Sequence, residues 1–488
     1  MASARIEGLE DQGLAKNPSD PNPPNPPILN PAPGVGAKIG IVPLDRRALK
    51  LLPLAMTIYC CASGGPFGLE PVMQAGPGLA LALILLTPLI WAAPAALLTA
   101  ELATALPAEG GYYVWVRRAF GSFGGFLCGW WTWIYTCVDA ALYPVLFATF
   151  VSKLLETLGY APFDNPWVKW GVGMAMVIPL TWLNVRGTRQ VGFSTSFFAL
   201  LFLIPFAILV ALGLPHLFAN PSAAVHPFAA AGKPLSGAIS LGLYTIMWNY
   251  LGWDSLSTVA EEVEDPQRSY PKALLIAFLL TIAVYLLPVV IGAVVRPNYA
   301  SWDEGTWVEV ARAVGGKGLA IAMIVAGVFS SSALFSSTLL GASRVPYVLA
   351  TDKLLPDAFS RLHPKYATPW LAVLASAVVY SILSYQTFGS LIAIDVIVYS
   401  VGLLLEFAAL VALRRREPDL PRPYKIPGGW PILALVVLLP TGLIVFAIVN
   451  SVFFDEEYGW KSAAMSAAAL ATGPVVYWLN ARLRKTRG

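Results

Sequence analysis

Apolar residues in this chain come in long unbroken runs that short polar segments separate. About twelve runs approach the roughly 20 residues that a helix needs to cross a bilayer, where every backbone polar group must be satisfied within its own segment. The sequence therefore predicts an all-α polytopic membrane protein with spans near residues 51–77, 79–104, 121–151, 166–185, 191–214, 236–262, 271–295, 317–341, 369–386, 388–413, 430–452 and 462–481.

Composition supports this interpretation, since 57% of the 488 residues are hydrophobic and only 12% are charged. Such values exclude an ordinary soluble domain. Residues 1–50 contrast with the rest, because 17–33 are polar and rich in proline, and we expect a disordered tail there.

Lysine and arginine favour the cytoplasmic side of a membrane. Most of the 32 basic residues fall on one side when both the tail 1–50 and the C-terminal residues 482–488 are cytoplasmic. The net charge of +4 reflects this excess, so it indicates no nucleic-acid partner. We expect the plasma membrane as the location, with an endomembrane as the alternative.

The interior of the predicted spans is acidic. It contains no lysine, arginine or histidine, but six carboxylates: Glu70, Glu101, Asp139, Asp254, Asp395 and Glu406. A charge at membrane depth costs several kcal/mol unless it is paired or faces water, so these residues are functional candidates. Their positive partner must come from elsewhere, as a substrate amine, a proton or a metal ion.

Simpler roles stay open for these acids. Glu101 and Glu406 lie near predicted cytoplasmic span ends and are expected to reach the headgroup region. The deeper aspartates also fit protonated carboxyl groups that are hydrogen-bonded within the bundle. Because no metal-ligand cluster is evident, we expect no metal and no cofactor.

Two predicted spans are interrupted at mid-membrane. Residues 62–71 read ASGGPFGLEP, and residues 248–254 of the sixth span read WNYLGWD. Glycine and proline lower helix propensity and proline removes a backbone donor, so we expect both helices to unwind. One such cluster alone also fits a plain kink. Two clusters, each with a glycine two positions before an acid, instead indicate a transporter of inverted repeats that binds solute between its halves.

Aromatic residues crowd the same regions: Trp130, Trp131, Trp133 and Tyr135 on the third span, Trp248, Tyr250 and Trp253 on the sixth, and Tyr399 on the tenth. An ammonium group desolvated against such a ring gains about 1 to 2 kcal/mol. Trp130 and Trp131 also fit a membrane-interface belt. Tyr135 lies about one helical turn from Asp139 and is expected on its face.

Several motifs resemble the amino acid-polyamine-organocation (APC) superfamily over about residues 45–480. They are SGGPF at 63–67, PAEGGYY at 107–113, NVRG at 184–187, RVPY at 344–347 and DKLLP at 352–356. The more specific match is Trp248-Asn249-Tyr250 followed by EEVEDPQR at 261–268, which resembles L-type amino acid transporters. The whole pattern is most similar to the plant polyamine uptake branch.

This resemblance implies a LeuT-like fold of two five-helix inverted repeats, here 51–214 and 236–413, with two further helices in 430–481. It also implies proton-coupled uptake. The chain departs from the family at Pro66, which removes an N–H that could meet a substrate carboxylate, and Glu70 and Asp254 add negative charge near the same centre. Both changes favour a diamine or polyamine over a zwitterionic amino acid.

Ion and partner expectations follow from other residues. The serines at 330–332 are a poor indication of a sodium site. All four cysteines, Cys60, Cys61, Cys128 and Cys137, fall within spans and are expected to be small buried hydrophobes. With no cysteine in an outer loop, we expect no disulfide-linked heavy chain.

The sequence thus predicts a proton-coupled polyamine importer for putrescine, spermidine and spermine, working by alternating access. We expect ammonium groups to meet Glu70, Asp139 and Asp254, and the methylene chain to meet aromatic rings. The predicted substrate-binding residues are Ser63, Gly64, Gly65, Glu70, Tyr135, Asp139, Trp248, Asn249, Tyr250, Gly252, Trp253, Asp254 and Tyr399. The coupling proton is expected on Glu70, Asp139, Asp254 or Asp395.

Other functions remain open. A neutral or cationic amino acid transporter of the same fold is the near alternative, and a channel or a non-transporting membrane receptor is the alternative from another class. An enzyme is not expected, because no nucleophile-base set or phosphate-binding loop is evident.

Overall fold

The computed structural model describes residues 51–107, 110–163, 165–186, 188–255, 257, 263, 265–366, 368–454 and 459–485. Within these residues every regular element is helical. The α-helices are α1 (Leu51–Ala62), α2 (Pro77–Thr87), α3 (Ala93–Ala105), α4 (Tyr112–Thr157), α5 (Pro166–Arg186), α6 (Thr188–Ala219), α7 (Leu235–Trp248), α8 (Pro266–Val295), α9 (Thr306–Thr351), α10 (Trp370–Leu383), α11 (Phe388–Arg416), α12 (Gly429–Phe454) and α13 (Gly459–Lys485). The predicted tail 1–50 lies outside the described residues.

Nine helical stretches of the described chain are long and apolar enough to cross a membrane, α2 and α3 forming one stretch through a π-helical turn. The remaining predicted runs coincide with the shorter helices α1, α7 and α10. α1 and α7 are short because each stops at a glycine-containing break. The all-helical architecture that hydropathy predicts is therefore confirmed for the described residues.

Two 46-residue helices contain a sharp bend. In α4, Gly121 has φ 77° and ψ −173°, and in α9, Gly316 has φ 69° and ψ −165°. Glycine adopts such positive φ values without the steric cost of a side chain. The bends fall where the hydropathy pattern places the starts of the third and eighth spans, so each preceding segment is a separate arm of the helix.

The centre of the bundle is built by α4, α9 and α11. α4 packs along both α9 and α11, while α1 lies against α8 and α6 lies against α9. Cys128 and Cys137 are buried and unpaired on α4, which confirms the prediction for those two residues. The side chains of Cys60 and Cys61 lie outside the described part.

Candidate functional site

The first helix is interrupted where its glycines and prolines predict. α1 ends at Ala62, residues 63–69 are irregular, and a short 3₁₀ helix covers Glu70–Ala75. Gly68 has φ 83°, and a Cβ added there would come within 2.8 Å of the Trp248 ring. A glycine at this position therefore permits both the turn and the close approach of the sixth helix.

The second interruption follows α7 and lies beside the first. Asn249 donates from Nδ2 to Thr245 O at 2.8 Å and to Gly68 O at 3.5 Å. Tyr285 donates to Asn249 O at 2.8 Å, and Gly252 has φ 82°. The two breaks are therefore held together through one amide side chain.

Asp139 on α4 faces the junction of the two breaks. Its Oδ1 accepts from Trp248 Nε1 at 3.0 Å, and its Oδ2 accepts from Tyr143 at 2.8 Å and from Thr338 at 3.5 Å. The residue is partly exposed, and these partners are all neutral. Asp139 therefore presents an oriented carboxylate whose charge these contacts leave unbalanced.

Asp395 on α11 is the second acid at this level. It is fully buried, and neither carboxylate oxygen has a hydrogen-bond partner within the described residues. Its charge interacts with that of Asp139. We call Asp139 and Asp395 the aspartate pair.

Asp254, at the second break, lies in a different environment. Its Oδ1 accepts from Tyr399 at 2.8 Å, and Glu406 on α11 lies in the same buried region. Both acids are almost completely buried. The expectation that Glu406 reaches the headgroup region is therefore wrong, because its side chain is buried within the bundle.

Glu70 is engaged by backbone groups. Its Oε2 accepts from Gly68 N at 2.6 Å and its Oε1 accepts from Gly305 N at 3.0 Å. Nearby, Trp307 Nε1 donates to Pro66 O at 2.8 Å. These contacts join the 3₁₀ half of the first helix to the segment before α9, and they occupy the carboxylate predicted to meet an ammonium group.

Glu101 has positive partners, contrary to the expectation that none of the six acids does. Arg414 and Arg422 bind its carboxylate, which also accepts from Ile426 N at 2.9 Å. Glu101 is fully buried, so the expectation that it reaches the headgroups is also wrong. Arg414 lies one residue beyond the predicted end of its span and points back into the bundle, which hydropathy does not reveal.

The predicted aromatic residues lie in three different surroundings. Trp248 contacts Asp139, and Tyr135 packs edge-on against Tyr399 with 5.0 Å between ring centroids. Tyr250 donates to Ile84 O and packs on Tyr285, whereas Trp253 packs on Phe278; both are fully buried in the core. Trp130 and Trp131 donate to Thr472 and Leu470 O of α13.

The backbone of the first break uses most of its donors internally. Gly65 N donates to Ser63 Oγ at 3.3 Å, and Leu69 N donates to Pro66 O at 3.1 Å. Gly64 O accepts from Ser330 at 3.2 Å. Positive charge from free N–H groups is therefore scarce at this break.

Sequence reasoning missed two residues of this region, Tyr143 and Thr338, and it expected a third, Glu406, at the headgroups. Tyr143 lies four positions from Asp139 on one helix, a spacing that places the two side chains on a common face. Glu406 lies seven positions after Tyr399 and shares its face of α11 in the same way. Thr338 comes from α9, and nothing in the local sequence indicates its contact with Asp139.

Comparison with known proteins identifies the family. A family model described as amino acid permease matches residues 52–471. The chain is 36% identical over 412 residues to "Probable polyamine transporter At3g19553" of Arabidopsis thaliana, covering 83% of each chain. It is 34% identical over 435 residues to "Polyamine transporter RMV1" of the same plant, covering 88% of this chain and 84% of the relative.

A third relative is "Polyamine transporter PUT1" of Oryza sativa subsp. japonica. It is 34% identical over 440 residues, covering 90% of this chain and 79% of the relative. The family-model match over residues 52–471 spans both helix breaks and the helices that hold the aspartate pair. This chain therefore belongs to the amino acid permease family of the APC superfamily, and it is an integral membrane transporter, not an enzyme.

Proposed function

We propose that the chain is a proton-coupled importer of polyamines that works by alternating access. The proposal assigns twelve spans, with a LeuT-like pair of inverted repeats at 51–214 and 236–413 and with both termini in the cytoplasm. Interrupted helices that open the two halves support this arrangement, because such transporters bind solute at the breaks near mid-membrane.

The aspartate pair is the observation that carries the proposal. Asp395 is fully buried with no hydrogen-bond partner in the described chain, and Asp139 has only neutral partners. None of the ion pairs among the described residues involves either acid. Carboxylates at this depth require a counter-charge. A polyamine carries at least two ammonium groups on one flexible chain, so a single molecule supplies both charges.

Trp248 supports the same substrate class. Its indole N–H orients Asp139, while its ring lies against Gly68 and packs edge-on to Phe388 at 5.5 Å. A ring in this position offers cation–π attraction to an ammonium group held by Asp139. It also offers an apolar surface to the adjoining methylenes.

An amino acid transporter of the same fold is the second candidate, and the family model favours it by name. A zwitterionic substrate needs donors for its carboxylate. At the first break, Pro66 lacks an N–H, and the N–H groups of Gly65 and Gly68 already donate to side chains. Glu70, one turn away, would in addition repel a carboxylate. These features favour the polyamine.

The test is uptake of labelled putrescine and spermidine into vesicles that contain the purified protein, with and without an inward proton gradient. The membrane potential is clamped at zero in both conditions. We expect saturable uptake that the gradient drives above equilibrium. Unlabelled arginine and leucine are the competitors, and displacement by either at concentrations below those of spermidine would instead favour amino acid transport. No saturable polyamine flux in either condition would refute the proposal.

A further inference from the structure

An open groove lies between α11 and the arm of α4 that precedes the bend at Gly121. Its volume is about 380 Å³, which falls within the roughly 300 to 1,000 Å³ of small-molecule sites. The residues that line the groove are Phe120, Ala408, Val411, Ala412, Arg415 and Arg416. None of them belongs to the aspartate pair or to either helix break, so the groove is a separate site.

Helical spacing builds one wall of this groove. Ala408, Val411, Ala412 and Arg415 lie at relative positions 0, 3, 4 and 7 of α11, which places them on a common face. Phe120 supplies the wall from the α4 arm and is 39% exposed. The groove is therefore apolar along α11 and becomes basic only at the carboxyl end of that helix.

In the described part of the chain, the two arginines at this end have no acidic partner, since no ion pair there includes Arg415 or Arg416. Arg416 Nη1 donates to Ala119 O at 2.7 Å, and the Arg415 guanidinium lies 5.4 Å from the centre of the Trp430 ring. Both arginines are exposed. Two positive charges thus border an apolar groove.

Neighbouring arginines are engaged by carboxylates. Arg118 donates to the two carboxylate oxygens of Glu417 at 2.9 and 2.7 Å. Arg414 and Arg422 both bind Glu101. These three arginines are satisfied by the protein, whereas the two arginines of the groove remain able to bind an anion from outside the chain.

Exposed aromatic residues indicate that this end of the groove lies at the edge of the membrane. Trp430, at the start of α12, is 49% exposed, and Phe123, just after the bend in α4, is 39% exposed. Tryptophan at the surface of a membrane protein is typical of the interface between lipid tails and headgroups. The apolar part of the groove then faces acyl chains, and Arg415 and Arg416 lie at the level of the headgroups.

We propose that this groove binds one anionic phospholipid of the cytoplasmic leaflet. An acyl chain lies in the apolar part beside Phe120, and the lipid phosphate accepts hydrogen bonds from Arg415 and Arg416. Guanidinium groups match the geometry of phosphate oxygens, and basic pockets between membrane helices on the cytoplasmic side bind anionic headgroups. The inference uses the proposed orientation of the chain but not its proposed substrate.

The apolar wall favours a lipid over a soluble anion. A free phosphate ester would contact only the two arginines and would leave Ala408, Val411 and Ala412 uncovered. A phospholipid gains from both parts of the groove, because burial of its methylenes adds to the attraction between its phosphate and the arginines.

Native mass spectrometry of the full-length protein in neutral detergent tests the inference. Phosphatidylglycerol and phosphatidylcholine with identical acyl chains are titrated, and the dissociation constant of the first bound lipid is measured for each. We expect phosphatidylglycerol to bind roughly 25-fold more tightly, because each of two arginines at headgroup level contributes about fivefold. Irradiation with a phosphatidylglycerol that carries a diazirine on its acyl chain should give adducts at Phe120 and within 408–412.

Variants separate the charge of the groove from its shape. Arg415→Gln should reduce the preference for phosphatidylglycerol about fivefold, and the double variant with Arg416→Gln should abolish it. Ala412→Trp keeps both charges but fills the groove, so it should abolish the adducts. Arg361→Gln is the charge control and Ala468→Trp is the size control, since both residues are exposed and neither lines the groove.

Four results would overturn the inference. Two of them concern wild-type protein and need no variant: equal dissociation constants for the two lipids, or adducts confined to other parts of the chain. The third is an undiminished preference in the double variant, with thermal unfolding as the check on folding. The fourth is displacement of the lipid by an equal concentration of glycerol phosphate, which would show that the groove binds a soluble phosphate ester. No measurement uses polyamine flux, so failure of the proposed function would leave these results unchanged.

Discussion

Asp139→Asn is the substitution that most directly tests the proposed amine site. Asparagine keeps an oxygen that can accept from Trp248 and is nearly isosteric with aspartate, so the packing around α4 is preserved. What changes is the charge, because the amide replaces the carboxylate that faces the two helix breaks. The variant therefore isolates the electrostatic contribution to substrate binding.

The size of the effect follows from the surroundings of Asp139. The residue is partly buried and its contacts at Trp248, Tyr143 and Thr338 are neutral, so an ammonium group would supply its counter-charge. Removing one partner of such a charged hydrogen bond costs about 2 to 3 kcal/mol. That free energy corresponds to a Kd raised by roughly 30- to 140-fold.

The assay is equilibrium binding of labelled spermidine to purified protein, combined with thermal unfolding to verify that the variant is folded. Asp357→Asn is the control, since Asp357 is well exposed and pairs with Lys353 and Arg484 away from the breaks. A folded Asp139→Asn protein whose Kd stays within threefold of wild type would show that Asp139 does not bind an ammonium group. The polyamine site would then have to be placed elsewhere.

Three further predictions concern the scaffold of the site. Glu101→Gln should lower the free energy of unfolding by about 3 to 5 kcal/mol, because the buried Arg414 loses its charged partner, and thermal unfolding measures the loss. Glu70→Gln should lower the local stability of the first break by about 1 to 3 kcal/mol, since an amide has one acceptor atom for two backbone donors. Hydrogen exchange of the backbone amides in residues 66–76 should accelerate as a result. Gly68→Ala should lower the free energy of unfolding by roughly 1 to 3 kcal/mol, because alanine is strained at a positive φ, and it should weaken spermidine binding.

Each of these three predictions has a result that would contradict it, and two of them have a matched control variant. Gly341→Ala adds a methyl group where a Cβ would meet nothing within 4 Å, so a cost as large as that of Gly68→Ala would contradict the strain argument. Glu156→Gln removes an exposed acid. If it destabilised the protein as much as Glu101→Gln, the buried ion pair would not be the cause. Unchanged hydrogen exchange in Glu70→Gln would contradict the role of Glu70 as a tether.

Much of the fold could be predicted because a helix that crosses a bilayer needs a minimum length of apolar residues. Each run of about 20 apolar residues corresponds to helical structure. Glycine and proline residues near Ala62, and a glycine near Trp248, predict the two breaks. The bends at Gly121 and Gly316 also coincide with predicted span starts. All of these features depend on short stretches of sequence.

The partners of the buried acids could not be predicted, because they come from distant parts of the chain. Glu70 meets Gly305 and Glu101 meets Arg414, separations of 235 and 313 residues. Such contacts depend on the rotation and axial register of packed helices. Hydropathy identifies which residues are buried in a helix, but it does not set the neighbour that each one faces.

The partners of each buried carboxylate, more than its depth, distinguish its role. Glu101 has arginines and Glu70 has backbone donors, so both are satisfied by the protein and belong to the scaffold. The aspartate pair lacks a protein cation among the described residues, and it therefore requires a positive charge from solution. A partly exposed aspartate beside an indole ring can accept an ammonium group. On this argument the substrate amines bind at the aspartate pair, and not at Glu70 or Glu101.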